Sequence, residues 1–266
     1  MLIAKGHRII AITNQSKFSA SFSEFPNDSF QTLSWADTLN HKIVSESTFI
    51  GWRQPPQSQV LGVELINWIK SANMKTRKIH HLSSAAVYAG SQEIFSELDY
   101  VIRETKNTLN SKQELEKLVL DICLEKKSQF VNYRISNVYG TGLSQGFINE
   151  SISYLKRKEP IRIYKNLDLV RDYLLIDDLV GALFDLQSQE SSVEVLNIST
   201  GLGVRISEVI AQLKVLKAED LKIIEIDAPK ETVTRSVLSC KRLEATISWT
   251  PQPLGKSLES LIKALA

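Results

Sequence analysis

Residues 111–135 read SKQELEKLVLDICLEKKSQFVNYRI, and the reading of this stretch decides the fold. Leu115, Leu118, Val119 and Ile122 recur at spacings of three and four, which places them on one face of a helix. Ser111 with Glu114 three residues later forms a capping box, so a helix is predicted over Ser111–Lys126. Gln129–Ile135 reads as a strand, and Lys78–Leu82 upstream reads as another. Two strands joined through a helix of more than ten residues form the repeating unit of a parallel sheet with helices on its faces.

The same alternation runs outward in both directions. Arg8–Thr13 and Lys42–Ile50 are predicted strands, and Val60–Ala72 a helix with Leu61, Leu65, Ile66 and Ile69 on one side. Towards the C-terminus, helices are predicted over Ile148–Lys156, Asp178–Leu186, Ile206–Leu216 and Lys256–Ala266. Strands are predicted over Val193–Ile198 and Leu221–Ile226. Residues 16–40 are polar and only weakly patterned. Cys240 falls in a possible strand, and Cys123 falls on the apolar helical stripe and reads as core.

Composition narrows the class. The chain has 266 residues, 43 % of them hydrophobic and 23 % charged, which fits one large α/β domain or one domain with a small lobe. A formal net charge of +2 gives no indication of a nucleic-acid partner. The short basic runs at Lys75–Lys78 and Lys156–Lys158 read as solvated faces. No apolar run approaches a membrane span, and the N-terminus lacks the layout of a signal peptide. Two cysteines form neither a disulfide framework nor a zinc site, so no metal is expected and a cytoplasmic setting is the default.

Six segments in order resemble one family. Leu2–Thr13 (LIAKGHRIIAIT) is similar to the end of its first helix and its second strand. His80–Gly90 (HHLSSAAVYAG) resembles its SS-x-x-VYG segment, and Ser111, Lys112 and Glu116 resemble the helix of its Y-x-x-x-K motif. Tyr133–Gly142 (YRISNVYGTG), Val170–Leu179 (VRDYLLIDDL) and Val195–Val209 (VLNISTGLGVRISEV) complete the set. Together they identify the chain as similar to the extended short-chain dehydrogenases/reductases, in the NAD-dependent epimerase/dehydratase group that acts on nucleotide sugars. The resemblance implies a Rossmann-like, doubly wound parallel sheet, here without its first strand, and a small C-terminal α/β substrate lobe. Residues 1–136 are expected to form an incomplete dinucleotide-binding domain and residues 137–266 a substrate-binding region partly interleaved with the sheet.

Two parts of the family's machinery are missing from the sequence. The first is the glycine-rich turn whose amides cradle the pyrophosphate at a helix N-terminus. Gly6 is the one glycine before Gly51, and Gly201-Leu202-Gly203 reads as a plain turn. The chain begins after that turn would have ended, so either the natural protein starts further upstream or the family's first strand is lost. Loss would leave its two neighbours to pair with each other or to take another occupant. The acidic residue that holds the ribose hydroxyls is replaced by Asn14, which can still accept one hydrogen bond.

The second missing part is the catalytic tyrosine. The family's base is a tyrosine whose pKa is lowered by a lysine one helical turn on. The lysine corresponds to Lys112, and four residues before it stands Thr108, whose hydroxyl does not ionise in the useful range. Ser84 matches the assisting serine, with Ser83 and Lys112 beside the cofactor. The plainer readings are a strand-end turn for Ser83 and Ser84 and a surface lysine for Lys112. Ala85 and Ala86 stand where sugar dehydratases carry an Asp-Glu pair, which argues against elimination chemistry. Tyr88 matches a position that is not the base, and His80 and His81 read as strand residues, one in and one out.

The C-terminal half matches better. The resemblance assigns Asn137, Arg171 and, more weakly, Arg235 to the diphosphate of a nucleotide sugar, and arginine's planar fork suits phosphate oxygens. Asp172 would then hold Arg171 or cap the helix that follows. The resemblance also implies NAD or NADP as cofactor, although the missing glycine loop weighs against its binding. The helix Ser111–Lys126 matches one that packs in dimers, implying a homodimer or a heterodimer with an intact paralogue. The expected activity is that of an NAD(P)-dependent nucleotide-sugar epimerase or reductase, impaired or inactive as the chain stands. The alternative is a non-catalytic relative that binds a nucleotide sugar or a partner subunit.

Overall fold

In the computed structural model the described residues are 9–13, 30–34, 43–51, 67–71, 74–88, 93–99, 112–189, 195–217, 221–230 and 232–264. They divide into two compact units, one drawn from residues 1–81 and 105–131, the other from 82–104 and 132–266.

In the first unit, β1 (Ile9–Thr13) pairs in parallel with β2 (Phe30–Ser34), from Ile9 opposite Phe30 to Thr13 opposite Ser34. β3 (Ile43–Gly51), β4 (Met74–Ser84) and β5 (Gln129–Ile135) are neighbours in that order. Among the described residues β1 pairs only with β2, so the direct pairing of β1 with β3 is not formed.

The predicted helix is α1 (Lys112–Glu125). Val119, Ile122 and Cys123 are fully buried against Ile50, Trp68, Ile69 and Ile79, and Leu115 and Leu118 close over them. Each such aliphatic side chain withdrawn from water contributes roughly 1.5–3 kcal/mol. The helix ends without glycine. Lys127 takes φ 54°, and the Ser128 N–H donates to the Cys123 carbonyl over 2.9 Å, the six-to-one bond of a Schellman close. Ser111 lies outside the described residues, and so does residue 66 and everything before it in the predicted helix Val60–Ala72; residues 67–71 are helical.

In the second unit, residues 132–135 of β5 pair in parallel with β10 (Val195–Ile198). β6 (Asn137–Tyr139) pairs with β9 (Tyr173–Leu175), and β7 (Ile161–Tyr164) with β12 (Ile223–Ile226), both in parallel. A three-stranded ladder has β8 (Val170–Arg171) at its centre, between antiparallel β11 (Val204–Arg205) and parallel β13 (Arg235–Ser236). The helices are α2 (Phe147–Arg157), α3 (Ile176–Gln187), α4 (Ile206–Lys217), α5 (Lys241–Thr246) and α6 (Leu254–Lys263). The apolar stripes of α2, α4 and α6 meet around Tyr139, Ile148, Ile161, Val209, Leu213 and Leu258. Tyr139 Oη and Ser257 Oγ share a hydrogen bond that ties α6 to β6.

The molecule is therefore α/β, as the alternation predicts, with several differences in detail. β4 is eleven residues long rather than five. β2 lies within the weakly patterned stretch 16–40, where FQTLS carries too little apolar contrast to announce itself. Cys240 is not in a strand; it is the residue that starts α5. His80 and His81 are both buried, because both faces of β4 are covered, so "one in and one out" is wrong for them. His80 stacks on Phe49 with ring centroids 4.5 Å apart, and its Nε2 lies 3.3 Å from Ser47 Oγ.

Candidate functional site

Ser84 ends β4. Its Oγ accepts the Ala86 N–H over 3.2 Å and so caps the single 3-10 turn Ala85–Val87. The hydroxyl hydrogen is not used in that bond and is available to a ligand oxygen. The turn delivers Tyr88 into a buried network. Tyr88 Oη donates to Asn197 Oδ1 over 2.6 Å and accepts from Arg134 Nη1 over 3.2 Å, with the guanidinium 5.0 Å from the ring centroid. Burial raises the Tyr88 pKa, opposed by the Arg134 hydrogen bond and charge, so this phenol holds its proton and serves packing. Ser83 is half-buried on the same strand. Lys112 is exposed at the start of α1, in the first unit. Asn14 and Thr108 lie outside the described residues.

The better-defined constellation surrounds β8. Arg171 Nη1 donates to the carbonyls of Val170 over 2.8 Å and Thr234 over 3.3 Å, and Nη2 donates to Val233 over 2.6 Å. Among the described residues no carboxylate pairs with it. Burial lowers its pKa, opposed by the nearby Tyr173 and Tyr164, but arginine stays charged under any ordinary condition. The site therefore contains a partly desolvated cation whose charge is met only by backbone dipoles.

Two residues absent from the sequence-based list complete this corner. Tyr173 follows Arg171 by two, so the strand period returns it to the same face. It is 6 % exposed, and its hydroxyl is buried without a hydrogen-bond partner. An orphaned buried hydroxyl is costly and uncommon. Tyr164, at the end of β7, is the second ring close enough to act on Arg171.

Asn137 is placed beside this corner by Asp172. Its backbone N–H and its Nδ2 both donate to the Asp172 carbonyl, over 3.0 and 3.1 Å. Arg235 is not brought to Arg171. The register sets Arg235 opposite Val170 and Ser236 opposite Arg171, so the two arginines leave opposite faces of the ladder. Arg235 Nε donates instead to the Glu93 carbonyl over 2.8 Å. Asp172 performs neither role expected of it. Among the described residues it pairs with no arginine and caps no helix. Its Oδ1 accepts from the Thr200 N–H (3.0 Å) and Oγ1 (2.7 Å), and its Oδ2 accepts from the Gly201 N–H (3.0 Å). The Gly201–Gly203 turn is thus a plain turn with an acid against its amides, an arrangement that would repel a phosphate.

Comparison with known proteins gives the setting. The sequence profile described as the NAD dependent epimerase/dehydratase family matches residues 57–199. Escherichia coli dTDP-4-dehydro-6-deoxyglucose reductase is 29 % identical over 189 residues, which span 69 % of this chain and 59 % of the reductase. The chain thus spans about three-fifths of that relative's length. CDP-abequose synthase of Salmonella typhimurium is 23 % identical over 217 residues, covering 78 % of this chain and 72 % of the synthase. Among solved structures, UDP-glucuronic acid 4-epimerase of Bacillus cereus in complex with UDP-glucuronic acid and NAD superposes with a TM-score of 0.79 at 17 % identity. That match covers 100 % of this chain and 94 % of the epimerase.

Proposed function

The chain belongs to the NAD-dependent epimerase/dehydratase family, and from that premise we propose that it binds a nucleoside-diphosphate sugar, with Arg171 as its anion-binding group. The observation that carries this reading is the Arg171 corner itself. A half-buried guanidinium without a carboxylate, beside the unpartnered Tyr173 hydroxyl, is a site of positive charge and free donor capacity awaiting an anion. Relatives and structural neighbours named for dTDP-, CDP- and UDP-linked sugars agree on the diphosphate and differ in the base and the sugar. Asn137 is the second candidate contact on the same side. Arg235 is left as a separate contact at most.

Redox chemistry is impaired in this reading. The family's cofactor is NAD or NADP, which supplies a hydride acceptor when bound. The Gly201–Gly203 turn offers its pyrophosphate no cradle, because the Asp172 carboxylate already takes the Gly201 N–H. Ser84 would donate to a sugar oxygen, but Thr108 at the tyrosine position supplies no base. The chain is accordingly a nucleotide-sugar-binding member with weak or no turnover. The companion readings are a cytoplasmic setting and assembly as a homodimer or with an intact paralogue through α1, where Leu124 is 67 % exposed. Among the described residues no helix is long and apolar enough to cross a membrane.

Titration calorimetry with UDP-, dTDP- and CDP-sugars tests the proposal. Saturable binding of at least one is expected, and Arg171→Ala should weaken it by about tenfold or more, the loss of one charge-assisted contact worth ~1.5–3 kcal/mol. An unchanged affinity in Arg171→Ala would remove that residue from the site.

A further inference from the structure

We propose that Asp172 is the positioning residue of the nucleotide-sugar site, a buried joint that sets Asn137 and Arg171 in place without touching the ligand. This rests on the reading that the Arg171 corner binds a nucleoside diphosphate. The geometry is unusually complete. Asp172 is fully buried, and every polar atom it owns is engaged. Its N–H donates to the Ser236 carbonyl over 3.0 Å, which holds the last residue of β13. Its carbonyl takes both Asn137 donors, backbone and side chain. Its carboxylate takes the Thr200 N–H and hydroxyl, the Gly201 N–H and the backbone N–H of Leu238. One residue thereby joins β6, the β8–β9 junction, the turn after β10 and the chain beyond β13.

Two features show why an acid is needed. Four donors converge on two oxygens, and a carboxylate has acceptor capacity for all of them, whereas an amide turns one end into a donor. Among the described residues no lysine or arginine pairs with the carboxyl group; burial raises its pKa, opposed by the N–H and O–H donors that converge on it. Substitution therefore breaks geometry rather than an ion pair. The side chain also lies on the far face from Arg171 and Tyr173 by strand alternation, so a direct ligand contact is excluded. Asn137 is tied to the Asp172 backbone, and Arg171 is its chain neighbour, so a shift of Asp172 moves both ligand-side groups together.

The test is a double-mutant cycle on the full chain, read as the affinity for UDP, dTDP or CDP, whichever binds the unaltered protein most tightly. Asp172→Asn should weaken binding by about tenfold in the native background and by less than about threefold in the Arg171→Ala background, because residues acting through one another are not additive. Merely lowered stability would leave the affinity of the folded protein unchanged, so near-native circular dichroism with reduced affinity is the expected pair of readings. Thr200→Val, which deletes only the hydroxyl donor, should give a smaller loss in the same direction and serves if Asp172→Asn does not fold. Full affinity in the Asp172→Asn or Thr200→Val protein overturns the positioning role and leaves the site reading intact. Equal losses in both backgrounds overturn it as well. If the unaltered protein binds none of the three diphosphates, the site reading itself fails and the positioning role falls with it.

Discussion

Replacing Gly140 by alanine is expected to lower the unfolding free energy by roughly 3 kcal/mol or more, as measured by urea denaturation. Two costs add. Gly140 sits at φ +137°, a conformation that side-chain-bearing residues rarely adopt, and such strain costs on the order of 1–3 kcal/mol. A Cβ there would also stand 2.5 Å from Ile176 Cγ2, at the first turn of α3, and 3.4 Å from Leu175 Cδ1. Forcing an extra carbon into a packed contact costs about 1–3 kcal/mol more. Retreat is blocked, since the Gly140 N–H is held by Asn149 Oδ1 over 3.0 Å. Gly142 provides the comparison: it has φ +84° and nothing within 4 Å of a built Cβ, so alanine there meets the strain without the clash. Equal losses at the two positions would show that the Ile176 contact contributes nothing.

Acidification should weaken the fold through His80. Burial, aided by the Lys78 charge, pushes its pKa down from 6.5 to about 3. The unfolded chain therefore takes up a proton between those values that the folded chain refuses. Stability linked to His80 is fully present above pH 6.5 and is lost as pH falls towards 3, at up to about 1.4 kcal/mol per pH unit. Over the whole window that amounts to several kcal/mol, enough to matter for a domain of ordinary stability. His80→Gln keeps a polar partner for Ser47 and removes the titration. Its unfolding free energy, followed from pH 7 to pH 4, should fall less steeply than that of the unaltered protein. Parallel curves for the two proteins would mean that another group governs the acid response.

Periodicity made the long elements readable and short ones invisible. α1 and α4 declare themselves because apolar residues at three- and four-residue spacing are buried along a dozen positions. β8, β11 and β13 have two residues each, and no alternation can register over two residues. The ligand-side residues divide the same way. Arg171 was accessible through its motif, and Tyr173 was accessible in principle, because it stands two residues on along an extended segment. Asp172 was not, since its side-chain partners Thr200, Gly201 and Leu238 are distant in sequence and meet it only through the fold. Its nearest charged neighbours, Arg171 and the two acids that open α3, suggested an ion pair or a cap, and burial chose backbone amides instead. Cys240 misled for a simpler reason: four apolar or small residues from Val237 to Cys240 resemble a strand, but Val237 and Leu238 are fully buried without extending the ladder beyond β13.

The alternation of Arg171, Asp172 and Tyr173 across a junction of so few residues also limits how this segment can change over generations. A substitution at any one of the three leaves the alternation itself intact. A single inserted or deleted residue would exchange the faces, presenting an acid where the anion belongs and burying a guanidinium against amide donors. The spacing between β8 and β9 is thus the feature of the site least tolerant of an added or removed residue.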